Sequence, residues 1–333
     1  MKGPDLPPFK ERFPWWGGDL QTLATALLPG ARDVGPYVSE RKRFTLADGD
    51  ILFASLDQPI DPRAGQPLVI LIHGVPGSES SPYIIRMARY LLMRGYYVLR
   101  LNLRGAGESR AHCRKQYYAG SSGDIVELLS QLPPELTRSG VAAVGYSLGG
   151  AILLKYLGEQ GSRTPICAAI SVSAPIDLLD ASRNLTSFRN SLYHWYIFRR
   201  IKREATAKGA ELTTEERKAI EASSNLLEYD DRFTGPRNKY QGAADYYEAC
   251  SAMNFLVDIR TPTLVLAALD DPWVSGSAYS SFYWRSNPSL SLVPRLPAHG
   301  GHVGFHGVGF DRSWSDLAVA GFLRSVRPFD AWQ

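Results

Sequence analysis

The 333-residue sequence has only three cysteines, Cys113, Cys167 and Cys250, and none has the spacing of a metal or redox motif. An odd number leaves one unpaired in any disulfide scheme, so we expect a reducing, cytoplasmic location. No stretch approaches the ~20 apolar residues that cross a bilayer, and residues 1–8 lack the apolar core of a signal peptide. A formal net charge of +4 is too small for this length to indicate a nucleic-acid partner.

Apolar runs of strand length alternate with helical patterns along most of the chain. The predicted strands are 43–46 and 51–56, which flank a hairpin turn, then 68–72, 96–101, 141–144, 166–172, 263–268 and 290–293. The predicted helices include 83–94, 124–132 and 313–326. This alternation predicts an α/β fold with a mostly parallel sheet and helices on both faces.

One long segment interrupts the alternation, because residues 176–252 contain charged helical stretches and no clear strand. We predict a helical cap inserted over the carboxyl edge of the sheet, where such folds bind ligands. The predicted division is an N-terminal arm packed on the core (1–40), a first part of the core (41–175), the cap (176–252) and a second part of the core (253–333).

A Gly-Tyr-Ser-Leu-Gly pentapeptide centred on Ser147 lies between a predicted strand and an apolar helical stretch. This pattern is typical of a nucleophile elbow, a tight turn that exposes one serine at the top of a sheet. Gly145 and Gly149 have no Cβ, so the chain can pack closely around the turn. The same pentapeptide occurs in ordinary turns, but the flanking strand and helix favour a nucleophilic Ser147.

A nucleophilic serine needs a general base, and the base needs a carboxylate that orients it. In folds of this type the chain order is Ser, then Asp or Glu, then His. Asp270 and Asp271 follow the predicted strand 263–268. We favour Asp271 as the acid, because it lies beyond the turn and could reach an imidazole, and Asp270 is the alternative.

His302 is the preferred base, since two glycines precede it and another follows two residues later, which lets its loop fold tightly. His299 and His306 are interpreted as surface or loop-bracing residues. His112 lies before any matching acid, and His194 lies within the predicted cap. A structural role is therefore expected for both.

An oxyanion hole requires two backbone donors, one after the serine and one from the loop that follows the strand 68–72. The first is the N–H of Leu148. The second loop reads His-Gly-Val-Pro-Gly from His73, and its turn would direct the N–H of Val75 into the site. His73 is interpreted as a hydrogen-bonding brace of this loop.

The chain resembles the α/β-hydrolase fold family, and within it the YheT-like branch related to the animal ABHD1/2/3 proteins. The motifs that carry the resemblance run almost from end to end, and they are Leu20-Gln21-Thr22, Asp48-Gly49-Asp50, His73-Gly74, Asn102-Leu103-Arg104-Gly105, Tyr118-Ala119-Gly120, 145–150, 172–175, Asp245-Tyr246-Tyr247, 270–272 and 300–305. The resemblance implies serine-dependent hydrolysis of carboxylic esters, lipid esters in some members, through Ser147, Asp271 and His302. The animal relatives begin with a membrane-anchoring helix that is absent here, so we expect a soluble form.

Residues 188–203 mix aromatic and basic side chains. They could form a lid over an acyl pocket, with cations facing an acidic head group or a membrane surface in peripheral contact. We favour an amphipathic cap helix whose aromatic side chains are buried and whose charges are solvated. Asp230, Asp231 and Asp245 are interpreted as cap structure, and no metal or cofactor is expected.

The favoured function is a serine esterase or lipase-like hydrolase that acts on a small-molecule or lipid-like ester. The same machinery could serve an acyltransferase or a thioesterase. A third hypothesis is a ligand-binding protein that keeps the fold without turnover.

Overall fold

A computed structural model of the chain describes residues 6–28, 32–309 and 312–326. Parts of the predicted arm (1–5 and 29–31) and of the predicted second core segment (310–311 and 327–333) lie outside the described residues.

Eight strands form one sheet in the order β1-β2-β4-β3-β5-β6-β7-β8. They are β1 (Val38–Thr45), β2 (Ile51–Gln58), β3 (Leu68–Ile72), β4 (Val98–Leu101), β5 (Val141–Tyr146), β6 (Ile166–Val172), β7 (Thr263–Leu266) and β8 (Leu292–Arg295). The pairs β1–β2 and β2–β4 are antiparallel, and all other pairs are parallel. The predicted mostly parallel sheet is confirmed.

The α-helices in the described part of the chain number thirteen, four of them a single turn or little more. They are α1 (Gly17–Leu27), α2 (Pro82–Leu92), α3 (Ser122–Ser130), α4 (Pro134–Thr137), α5 (Leu148–Gln160), α6 (Leu178–Thr186), α7 (Ser191–Ala205), α8 (Thr214–Ala222), α9 (Leu226–Tyr229), α10 (Gly235–Arg237), α11 (Ala243–Cys250), α12 (Gly276–Ser281) and α13 (Trp314–Ser325). No described helix has the length and apolarity needed to span a bilayer.

Alternate side chains of the buried strands pack into two different apolar clusters, as a pleated sheet covered on both faces requires. In β3, Ile70 and Ile72 pack with α3 and α5, whereas Val69 and Leu71 pack with α2 and α13. Each residue of β3 is buried. This explains why these strands read as continuous apolar runs in the sequence.

Two predicted strands are longer than the observed ones. β4 begins at Val98 rather than at residue 96, because its ladder with β2 and β3 starts there. β7 ends at Leu266 rather than at residue 268, although Ala267 and Ala268 are buried and the chain continues beside β8. Buried apolar residues can thus continue beyond the hydrogen-bonded ladder, and a strand predicted from apolar residues is then too long.

The segment between β6 and β7 is helical throughout and contains α6 to α11 without a strand. Its own small apolar cluster includes Phe198, Ile220, Tyr229 and Phe233. A second cluster joins α11 to the loop before α3 through Ala119 and Tyr246. The segment is thus a helical insertion tied to the core, and its assignment as a cap with bounds at 176 and 252 stays a prediction.

Candidate active site

Ser147 is the single residue between the end of β5 and the start of α5. Its backbone has φ 50° and ψ −126°, a strained conformation for a residue other than glycine. The turn is compact, because a Cβ on Gly145 would lie 2.5 Å from the carbonyl oxygen of Gly149. The Ser147 N–H donates to the carbonyl of Val172 in β6, 2.8 Å away, which fixes the turn against the next strand. The strand–turn–helix context of a nucleophile elbow is present.

The three side chains that sequence order singled out meet at the carboxyl edge of the sheet. His302 Nε2 lies 3.0 Å from Ser147 Oγ, and His302 Nδ1 lies 2.7 Å from Asp271 Oδ2. Asp271 and His302 are buried, whereas Ser147 is partly exposed. Since a carboxylate only accepts hydrogen bonds, the Nδ1 of His302 carries a proton and its Nε2 is free to accept the Ser147 hydroxyl.

The two candidate acids make separate contacts. The other oxygen of Asp271, Oδ1, accepts the backbone N–H groups of Trp273 and Val274 at 2.8 and 3.0 Å, so this carboxylate is held by three donors. Asp270 instead accepts a hydrogen bond from His299 Nδ1 at 3.0 Å and one from a backbone N–H in the His302 loop. The geometry thus joins Asp271, and not its neighbour, to His302.

The indole of Trp273 packs against the imidazole of His302. Its ring lies 4.3 Å from the His302 ring between centroids, at an interplanar angle of 31°. Its backbone N–H is one of the donors to Asp271. One residue therefore both holds the acid and limits the positions open to the imidazole, a role that no sequence pattern around Trp273 indicates.

The N-terminal arm holds the His302 loop from outside. The His302 N–H donates to Thr22 Oγ1 at 2.8 Å, and the Gln21 side chain accepts the N–H of His306 at 2.7 Å and donates to its carbonyl at 3.1 Å. The contact is so close that a Cβ on Gly301 would lie 2.3 Å from the carbonyl oxygen of Gly18. The arm packs on the core, and its positioning of the His302 loop is a role that composition alone does not predict. The Leu20-Gln21-Thr22 motif was the available signal.

The loop after β3 lies directly against the serine, because a Cβ on Gly74 would be 2.6 Å from the Cβ of Ser147. The Gly74 carbonyl accepts hydrogen bonds from His73 Nδ1 (2.8 Å) and Tyr117 Oη (3.5 Å). In a planar trans peptide unit the carbonyl oxygen and the following N–H point in opposite directions. Anchoring the oxygen therefore fixes the direction of the Val75 N–H, which has no hydrogen-bond partner among the described residues.

His73 is fully buried and neutral, as its two hydrogen bonds require. Its Nε2 accepts the N–H of Leu103 at 3.1 Å while its Nδ1 donates to Gly74. Burial lowers the pKa of His73 to about 4. The interpretation of His73 as a loop brace thus agrees with its contacts.

The second predicted donor, Leu148, is the first residue of α5. The first N–H groups of a helix have no partner within the helix, and the positive end of the helix dipole lies at the same place. Leu148, Val75 and Ser147 line one cavity together with His302.

This cavity lies between the sheet edge and the cap, and its empty volume, counted to its open mouth, is about 1160 Å³. Most of the lining side chains are apolar or aromatic, and they include Leu178, Leu185, Ile197, Ile201, Leu226, Tyr229, Phe233 and Val274. A cavity of this kind suits an apolar ligand portion next to the serine.

Two carboxyl groups of the cap also face the cavity. Burial raises the pKa of Glu204 to about 7, against the opposing effect of Arg200 and Arg110. Burial likewise raises the pKa of Asp230 to about 6, and this carboxyl accepts a hydrogen bond from Tyr247 Oη at 2.7 Å. Sequence analysis gave Glu204 no role, since a single glutamate in a charged helix carries no distinguishing pattern.

The favoured interpretation of residues 188–203 is wrong in one respect. Several large side chains of this segment are exposed rather than buried, with exposed fractions of 96% for Phe188, 83% for Leu192, 60% for Trp195 and 47% for Tyr196. Phe198 is buried as expected. The cause is the position of α7, whose inner face lines the cavity through Ile197 and Ile201 while no described element covers its outer face.

The remaining histidines have structural contacts. His299 is exposed and bonded to Asp270, and His306 is buried with its backbone tied to the arm. His112 packs against Phe53, and His194 Nε2 accepts a backbone N–H from the start of α9.

Within the described ranges, one group could offer ligands to a metal ion: Glu11, Asp270 and His299, whose ligand atoms lie within 4.8 Å of one another. It is partly exposed, and His299 and Asp270 are already bonded to each other. Asp231 and Asp245 are engaged otherwise, since each accepts a backbone N–H in the cap.

The α/β hydrolase fold family matches residues 67–306 of this chain. YheT of Escherichia coli strain K12 is 32% identical over 86% of this chain and 84% of its own length. The mouse phospholipase ABHD3 is 30% identical over 72% of this chain, which covers 58% of that relative. The solved structure of the Pyrococcus furiosus esterase Pf2001 matches 96% of this chain and 99% of its own, with a TM-score of 0.57 and 15% identity, and shows a common fold.

The chain therefore belongs to the α/β-hydrolase fold family and is a hydrolase. Within that family it belongs to the branch that contains YheT and the ABHD proteins. The predicted fold and family are confirmed.

Proposed function

We propose that the protein is a serine hydrolase that cleaves carboxylic esters through Ser147, His302 and Asp271. The observation that carries the proposal is the continuous contact from Ser147 Oγ to His302 Nε2 (3.0 Å) and from His302 Nδ1 to Asp271 Oδ2 (2.7 Å). The names of two relatives support the bond type, since YheT is named as an esterase and mouse ABHD3 as a phospholipase.

In the first step, Ser147 Oγ attacks the ester carbonyl while His302 Nε2 takes the hydroxyl proton. Asp271 holds the imidazole in the tautomer whose Nε2 can accept, and its charge stabilises the imidazolium that forms. Because Asp271 is itself held by two backbone donors, it needs no reorganisation during this step.

The negative charge that develops on the carbonyl oxygen is assigned to the N–H groups of Val75 and Leu148. Each such donor typically contributes about 3 kcal/mol of transition-state stabilisation. His73 and Tyr117 act as positioning residues, because they hold the Gly74 carbonyl and thereby the orientation of the Val75 N–H.

Collapse of the tetrahedral intermediate expels the alcohol, which takes the proton from His302 Nε2 and leaves an acyl group on Ser147. A water molecule then attacks the acyl carbonyl, with His302 again as base, and releases the carboxylic acid. The apolar cavity under the cap supports a substrate with an apolar acyl or alcohol portion, such as a lipid-like ester.

The proposal includes a cytoplasmic location. Cys113, Cys167 and Cys250 are free thiols, which is the state that a reducing compartment maintains.

A fluorophosphonate probe tests the nucleophile. Active, folded protein is expected to be labelled at Ser147, and Ser147→Ala is expected to abolish both labelling and hydrolysis of p-nitrophenyl esters. Ser80→Ala, at an exposed serine in a neighbouring loop, is the matched control and should keep both. Folded wild-type protein that is neither labelled nor active on a series of esters of increasing acyl length would contradict the proposal.

A further inference from the structure

The outer face of α7 is exposed and carries both large apolar side chains and arginines in one stripe. Leu192, Trp195, Arg199 and Arg203 follow at intervals of three and four residues, and all are exposed. Residues at that spacing lie on one side of a helix. We call this stripe, together with the preceding Phe188, the outer cap face.

The opposite side of the same helix belongs to the cavity that contains the serine. Ile197, Ile201 and Glu204 line that cavity, whereas Leu192 and Trp195 do not. Tyr193, between the two sides, packs against Trp273, whose ring covers His302. One helix therefore carries an exposed apolar surface on one side and lines the candidate active site on the other.

A second exposed apolar surface adjoins the first. Leu20, Leu23 and Leu27 lie on one side of α1, with exposed fractions of 41, 39 and 68%, and Trp16, directly before the helix, is 58% exposed. Asp19 of this helix pairs with Arg189 at 2.7 Å and accepts a hydrogen bond from Tyr193 Oη at 3.1 Å. These contacts hold the start of α1 beside the start of α7.

The charges of the outer cap face indicate what it meets. Arg199 lies over the Trp195 ring at 5.6 Å, and neither Arg199 nor Arg203 forms an ion pair with a described carboxylate. A second copy of this chain, packed by two-fold symmetry, would bring these cations against themselves. An acidic surface would neutralise them, and tryptophan with long basic side chains suits a boundary between water and hydrocarbon.

We propose that the outer cap face docks the protein onto lipid surfaces that carry acidic head groups. The apolar side chains Phe188, Leu192 and Trp195 enter the head-group region while Arg199 and Arg203 contact the acidic groups. The helix whose inner face lines the cavity is then in contact with the lipid, so an ester substrate enters the cavity from the membrane. The substrate route rests on the proposed function, but the docking itself does not.

The test is co-sedimentation of the full-length chain with vesicles of phosphatidylcholine, alone or mixed with phosphatidylglycerol. Binding is expected only with phosphatidylglycerol. Arg199→Gln with Arg203→Gln should lower the partition coefficient about thirtyfold, since each cation near such a surface contributes about five- to sixfold. Leu192→Ser with Trp195→Ser should lower it at least about tenfold.

Ile60→Ser with Met93→Ser is the control, because these side chains are 72 and 60% exposed elsewhere on the surface. This variant should bind as the wild type does. Thermal unfolding and hydrolysis of a water-soluble p-nitrophenyl ester should be unchanged in every one of these variants, while Ser147→Ala should keep vesicle binding and lose hydrolysis. Failure of the catalytic proposal would thus leave the vesicle results intact.

Three results would overturn the docking proposal. They are absence of binding to the acidic vesicles, undiminished binding by the Leu192/Trp195 variant, and a dimer in solution that this variant abolishes while no vesicle binding is seen.

Discussion

Asp271→Asn is expected to abolish most of the esterase activity without unfolding the protein. The backbone N–H groups of Trp273 and Val274 require an oxygen at the Oδ1 position, so the asparagine carbonyl takes that place. Its amide NH₂ then faces His302 Nδ1, where Asp271 Oδ2 now accepts at 2.7 Å. An amide donor there moves the imidazole proton to Nε2, which can no longer accept the Ser147 proton.

The expected size of this effect is a fall in kcat of about 10⁴-fold, equivalent to about 5.5 kcal/mol in the barrier. Asp270→Asn is the matched control at the neighbouring position. Its bond to the exposed His299 is worth about 0–1 kcal/mol, so its activity should stay within about fivefold of the wild type.

The assay is steady-state hydrolysis of a p-nitrophenyl ester, with thermal unfolding of each variant to show that both are folded. The two variants also decide between the acids that the sequence left open. If Asp271→Asn retained activity within about tenfold while Asp270→Asn lost it, the assignment of the tautomer to Asp271 would be refuted.

Three further perturbations follow from the geometry. Gly74→Ala places a Cβ 2.6 Å from the Cβ of Ser147, so kcat should fall by about 10²-fold or more. Gly123→Ala, whose new Cβ has nothing within 4 Å, should leave kcat unchanged. Equal activity of the two variants would contradict the close approach of Gly74 to Ser147. Because the pKa of Glu204 is raised to about 7, the folded state keeps a proton that the unfolded state loses above about pH 4.5. The free energy of unfolding in urea of the wild type, relative to that of Glu204→Gln, should therefore decrease by up to about 3 kcal/mol as the pH rises from 4.5 past 7, and a pH-independent difference would contradict the raised pKa. The lowered pKa of His73, about 4, has the opposite sign, because the unfolded state binds a proton first as the pH falls from 6.5 to 4. The free energy of unfolding of the wild type, relative to that of His73→Asn, should therefore fall by up to about 3 kcal/mol over that range, and a pH-independent difference would contradict the buried neutral state.

The sequence predicted the fold because its strands are buried on both faces. β3 and β5 consist of residues that are all buried, so they appear as uninterrupted apolar runs followed by helical periodicity. The elbow around Ser147 was also predictable, since its turn demands glycines at fixed positions. Local chemistry that restricts residue choice is visible in a sequence.

Other features depend on contacts between distant parts of the chain. Thr22 meets His302 across 280 residues, and no local pattern indicates such a pair. Likewise, Trp195 is exposed because no described element covers the outer face of α7. The amphipathic periodicity of α7 would be the same whether that face were covered or exposed. The preference for Asp271 over Asp270 depends on where the preceding strand and its turn end, and in the structure that strand ends at Leu266, earlier than predicted.

The hydrogen bond between Thr22 and the His302 loop has a consequence for biosynthesis. On the ribosome, β5 and α5 are complete long before residue 302 has been made, so a nascent chain carries its serine without a partner base. The arm that holds the loop is made about 280 residues before the loop itself. On the proposed mechanism, such a hydrolase is inert until the His302 loop has been made and has bound the arm.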